Sequence, residues 1–172
     1  MHGTSSTSRT DLLSIYLNDH LAGATGGLEL ARRLAGTHRS GEDGARLRLL
    51  VEDVAEDRAA LISVMGRLGV TANQVKVAVG WMVEKVARLK LNGHLLHRSP
   101  LSTIVELEAM RLGVEGKASG WRTLRAVAES DERIDVDELD RLIERAVAQI
   151  EMLETLRVTA VDQTLVHTTV QG

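Results

Sequence analysis

An all-α helical bundle is the fold class this chain predicts, on three observations. Apolar residues make up 44% of the sequence but aromatic residues only 2%, with no Phe, one Tyr and two Trp. The core must therefore come from Leu, Val, Ile and Ala, which suit helix-on-helix packing. A single Pro and few alternating apolar–polar runs leave little of the turn punctuation that a sheet protein needs every 8 to 12 residues or so. Apolar residues instead recur at steps of three and four along most of the chain. At 172 residues there is room for one compact domain. It is expected over 10–166, after a disordered polar lead at 1–9 and before a frayed tail at 167–172.

The first helix is expected from Thr10 or Asp11, which offer an N-cap and an acidic first turn, to about Ala35, with Gly36 as its stop. Its seam is Leu13, Leu17, His20, Ala24, Gly27, Ala31 and Leu34, widened by Leu21 and Leu28. Three glycines in a helix interior each cost about 1 kcal/mol relative to alanine, so their smallness must serve something. The polar stretch 37–44 reads as a short loop, which implies an antiparallel neighbour. That neighbour, near 45–68, carries Leu47, Leu50, Val54, Asp57, Leu61, Val64 and Leu68 on one seam and ends at Gly69. A third amphipathic segment, 74–91, places Val75, Val79, Met82, Val83, Val86 and Leu89 on one face and basic residues around the other.

Ser99 and Pro100 open the next helix, roughly 100–128, as N-cap and first helical residue. Its main seam runs Ile104, Leu107, Met110, Val114, Ala118, Trp121, Leu124, Ala128. A second set, Leu101, Val105 and Leu112, predicts burial on two sides. Small residues Ala109, Gly113, Gly116 and Gly120 echo those of the first helix, so Gly23 and Gly27 are expected to face Gly113, Gly116 and Gly120 in close helix contact. Asp135 and Glu138 form a capping-box pattern for a last helix through Leu139, Leu142, Ile143, Ala146, Ile150, Leu153 and Ala160.

Two helical hairpins joined by a long crossover, together with the acidic stretch Glu52-Asp-Val-Ala-Glu-Asp57, resemble the ferritin-like superfamily, particularly its small bacterial two-hairpin members. The resemblance implies an antiparallel ferritin-like four-helix bundle, with 74–91 as an additional amphipathic crossover helix between helices 2 and 3. It also implies a di-iron or di-manganese site in which two helices each give an inward Glu and the other two each give Glu-x-x-His. The chain contains no Glu-x-x-His, and the first seam has His20 and Ala24 where a carboxylate is wanted. The polar residues on the seams are His20, Asp57 and Gln149, with Glu108 and Glu115 seven apart on the helix over 100–128. Imidazole and carboxylate suit iron, manganese or zinc, so His20, Asp57, Glu108 and Glu115 are the candidate ligands of a modified site. The competing reading is a buried hydrogen-bonded cluster that fixes helix register. His94 and His97 stand one turn apart but make only half a zinc site.

No cysteine is present, which excludes disulfides and thiolate chemistry and fits a reducing cytoplasm. No run approaches the roughly 18 to 20 apolar residues needed to span a bilayer, and the polar N-terminus has no signal-peptide pattern. The net charge of −3 argues against general nucleic-acid binding. Charge is segregated: with Lys76, Lys85, Arg88, Lys90 and Arg98 against Glu84, 74–98 carries +4 and leaves −7 on the remainder. Lys76, Trp81, Lys85, Arg88 and Lys90 are thus the candidate contact residues for an anionic partner or surface. The expectation is a non-catalytic, self-associating interaction or scaffold protein with no cofactor. Metal-dependent oxidoreductase or metal-storage chemistry is the alternative, and anionic docking through 74–91 a third reading.

Overall fold

In a computed structural model that describes residues 8–38, 40–73 and 100–166, the long elements are all helical. They are α1 (Arg9–Thr37), α2 (Gly41–Arg67), α3 (Pro100–Ala128) and α4 (Val136–Val161), the last continued by a π-helical turn, Asp162–Val166. There is no strand among the described residues. The amphipathic segment expected over 74–91 lies outside them, with its contact residues Lys76, Trp81, Lys85, Arg88 and Lys90 and with His94 and His97.

Local chemistry explains where the helices begin and end. Ser8, not Thr10 or Asp11, caps α1: its hydroxyl accepts from the Asp11 N–H at 3.1 Å, and the Asp11 carboxylate accepts from the Ser8 N–H at 3.1 Å. Asp11 is the third-position half of a capping box, and both Thr10 and Asp11 lie inside the first turn, too late to be the cap. Gly36 does not stop the helix either, since α1 runs on to Thr37. The glycine that makes this turn is Gly41, whose φ of +80° opens α2 and shortens the expected loop. Gly69 ends α2 as the sequence predicts, at φ +73°, with the Val70 N–H reaching back to the Met65 carbonyl at 2.9 Å. Pro100 begins α3, and Asp135 caps α4 by accepting from the Glu138 N–H at 3.1 Å. The Glu138 side chain does not complete the box. It takes Arg67 of α2 at 2.5 Å instead.

Side-chain pairs between helices fix their directions. Arg9 meets Ser130, Tyr16 meets Thr123 and Arg33 meets Glu106, so α1 and α3 are antiparallel. Arg67–Glu138, Asp57–Arg145 and Asp53–Gln149 make α2 and α4 antiparallel, and Arg125–Asp140 and Arg111–Glu154 do the same for α3 and α4. Asn18 binds the Thr71 carbonyl and Arg58 binds Thr25, which sets α1 against α2 in the same sense. The helices thus form a four-cornered array of antiparallel neighbours, in which the diagonal partners α2 and α3 run parallel.

The predicted seams are the core. All seven seam residues of α2, from Leu47 to Leu68, are buried, as are Ile104 to Leu124 on the α3 seam. The core divides into two apolar clusters. One gathers around Leu34, Leu50, Val54, Leu107, Met110, Val114 and Leu153, the other around Leu17, Leu21, Leu61, Met65, Trp121, Leu124 and Leu139. Leu101, Val105 and Leu112, expected to be buried on a second face of α3, are exposed, Leu112 at 64%.

The small-residue rows also differ from expectation. A Cβ placed on Gly23, Gly27, Gly113 or Gly116 meets nothing within 4 Å among the described residues, so these four make no close helix contact there. Gly120 is the exception: a Cβ there would lie 2.9 Å from two atoms of the His20 ring.

Candidate functional site

Between the two apolar clusters lies a layer of charged side chains, and α2 sets its position. The α2 seam that buries Val54 and Leu61 must also bury what lies between them at helical spacing, and that residue is Asp57, only 2% exposed. A carboxylate so far out of water has to be paired and hydrogen-bonded. Both of its oxygens are. Lys117 from α3 donates to Oδ2, and Arg145 from α4 donates to Oδ1.

The layer extends from this centre. The Lys117 ammonium also donates to Gln149 Oε1, and Gln149, 4% exposed, turns its amide N–H₂ to Asp53 Oδ2 at 3.1 Å. Arg145 reaches outward to Glu56 at 2.8 Å. On the α1 side Thr25 accepts from Arg58 Nε at 3.1 Å while donating to the Leu21 carbonyl at 2.9 Å. Burial holds the Lys117 ammonium below the usual lysine range, against the pull of Asp57 and Asp53, which favour its charge. Three buried donors, Arg111 Nε, Trp121 Nε1 and Arg145 Nε, have no hydrogen-bond partner among the described residues.

The sequence-predicted site residues separate into three environments. Asp57 and Gln149 come together as the centre of the layer. His20 is elsewhere, half-buried, its ring centroid 4.5 Å from that of Tyr16 and its face against Gly120. Glu108 and Glu115 point to the outer α3–α4 surface, 3.8 Å from Arg157 and 3.7 Å from Arg111. These four candidates therefore do not form one ligand set, because the 3.6-residue repeat puts the two glutamates on a different face of α3 from Lys117. No group of three or more His, Asp or Glu that could hold a metal ion occurs among the described residues.

The site does not fit a di-metal centre. Its donors are a carboxylate already spanned by two cations, a second carboxylate and an amide, where such a centre needs several carboxylates and two imidazoles. Lys117 and Arg145 are the residues that sequence reasoning missed. The signal was available: an acid on a buried seam demands a cation on a facing helix, and Lys117 stands one turn before Trp121 as Arg145 stands one turn before Gln149.

Two concavities flank this region. A groove of about 480 Å³ runs past Glu56, Glu138, Arg141 and Arg145, where both signs of charge are present. A smaller hollow of about 190 Å³ lies at the other end of the bundle beside His38, Asp43 and the π-helical turn. No helix among the described residues is long and apolar enough to cross a membrane. Comparison with protein-family models, curated proteins and solved structures returns no match.

Proposed function

We propose that this chain is a non-catalytic helical-bundle protein of ferritin-like arrangement that serves as a scaffold or interaction module and self-associates. The order of two antiparallel hairpins with parallel α2 and α3 supports the arrangement, since a two-hairpin bundle with one long crossover has those directions. The observation that carries the non-catalytic reading is the occupation of both Asp57 oxygens by Lys117 and Arg145. A metal ion brought to this carboxylate would meet two fixed positive charges. Two unit charges 4 Å apart repel by about 4 kcal/mol at an effective dielectric of about 20, and a divalent ion doubles that against each neighbour. Self-association is supported by the exposed apolar side chains on α3, α4 and the π-helical turn, Leu112, Val158 and Leu165 among them.

The test has two arms. Protein reconstituted with ferrous, manganous or zinc ions and then desalted is expected to retain none of them stoichiometrically by elemental analysis. One or two retained equivalents that disappear in Asp57→Asn would overturn the non-metal reading. Sedimentation over a wide concentration range is expected to show a dimer or larger species, and a monomer throughout removes self-association while leaving the first arm intact.

A further inference from the structure

We propose that His20 is an acid-sensitive clasp between the two helical hairpins: its neutral ring fills the space over Gly120, and protonation loosens the contact of α1 with α3. The geometry is specific. A Cβ on Gly120 would come within 2.9 Å of His20 Cε1 and Nδ1, so the imidazole rests directly on the α3 backbone. Tyr16 also lies against it, its ring centroid 4.5 Å away and tilted 56°, and the Tyr16 hydroxyl donates to Thr123 of α3 at 3.0 Å. Neither imidazole nitrogen has a hydrogen-bond partner among the described residues. A proton added to this ring would find no protein acceptor among the described residues, only the water at its exposed side, while its buried side lies against the α3 backbone.

The surrounding charges do little to change that. From its own helix the ring feels Asp19; from α3 it faces Gly120 and, beyond Tyr16, Thr123; no charge of α2 or α4 acts on it appreciably. Burial therefore pushes the imidazole below the usual histidine range, with Asp19 opposing. Above the ordinary value of 6.5 the ring is neutral in both the folded and the unfolded chain, and the contact is at full strength. As pH falls below 6.5, the unfolded or opened chain takes up a proton that the closed form resists. The ratio of closed to open chains then falls by up to about tenfold per pH unit until the closed form titrates as well.

The loosening is local to the His20 contact. Beyond His20, α1 and α3 are joined by the polar links Arg9–Ser130, Tyr16–Thr123 and Arg33–Glu106 and by the apolar packing of Leu17, Leu21, Ala31 and Leu34 in the two core clusters. The α2–α4 seam is instead tied through buried Asp57 and Gln149. Protonation of His20 therefore acts on the α1–α3 contact around Gly120 and leaves the Asp57 layer between α2 and α4 in place.

The experiment follows the wild-type chain by NMR from about pH 7.5 to pH 5.5, with the urea midpoint measured across the same range for wild type and His20→Gln. The expected result is a His20 ring that titrates below 6.5 and loses its cross-peaks to Gly120 on protonation while Arg145–Asp57 neighbours keep theirs. The wild-type urea midpoint is expected to fall with pH more steeply than that of His20→Gln. A ring titrating at or above 6.5, or His20–Gly120 cross-peaks that persist after protonation, overturns the proposal. So do parallel midpoint curves. The NMR arm stands even if His20→Gln does not fold.

Discussion

Gly116 and Gly120 sit one turn apart on α3 and are glycine for different reasons. Gly116 is exposed, and a Cβ there meets nothing within 4 Å, so it pays only the entropic penalty of glycine in a helix. Gly116→Ala is expected to stabilise the protein by about 1 kcal/mol. Gly120→Ala drives a methyl group into the His20 ring and is expected to destabilise by about 1–3 kcal/mol. Urea unfolding of the two variants checks both signs at once, and equal shifts would refute the distinction. The spacing of the glycines is visible in the sequence, but the space over each one belongs to the neighbouring helix. The same reason hid Lys117: with a long apolar stem and a charged tip, a lysine at a seam's edge looks like a solvated one until the facing carboxylate is placed.

At the scale of the elements, helix ends were legible where a single residue type could do the work. Pro100 is the only proline of the chain, and Gly69 and Asp135 stand where an apolar seam ends and the next begins; each acts as its chemistry predicts. The ends of α1 were not, because Ser8, Thr10 and Asp11 are all competent caps and Gly36 and Gly41 are both competent turns. Only the backbone geometry chooses between them. The cap of α4 has a further consequence, since Glu138 joins Arg67 of α2 in place of closing the box on Asp135. Asp135→Ala therefore removes the bond to the Glu138 N–H while leaving the Arg67 ion pair, and a loss of about 1 kcal/mol is expected. Thermal unfolding of Asp135→Ala beside Glu138→Gln separates the two contributions; a larger effect from Glu138→Gln would mean that the link between helices, half-exposed as it is, outweighs the cap.

For the whole molecule, the charged layer divides the core and also aligns it. Apolar seams of Leu, Val and Ala can slide past one another by a turn at modest penalty, whereas Asp57 can meet Lys117, Arg145 and the Gln149 that shares Lys117 only in one register. The seams made the all-α fold readable from periodicity. The register was not readable, since it depends on three helices converging. Removing either member of a buried pair strands the other, so Lys117→Met and Asp57→Leu are each expected to destabilise by about 3 kcal/mol or more. The double variant replaces the buried ion pair with apolar side chains, with Gln149 still bonded to Asp53 and Arg145 still reaching Glu56 at the surface. It is expected to recover much of that loss, giving a coupling energy of about 1–3 kcal/mol in a double-mutant cycle measured by urea unfolding. If the losses simply add, Lys117 and Asp57 do not act as a unit, and the register of the bundle rests on the shape of its apolar clusters alone.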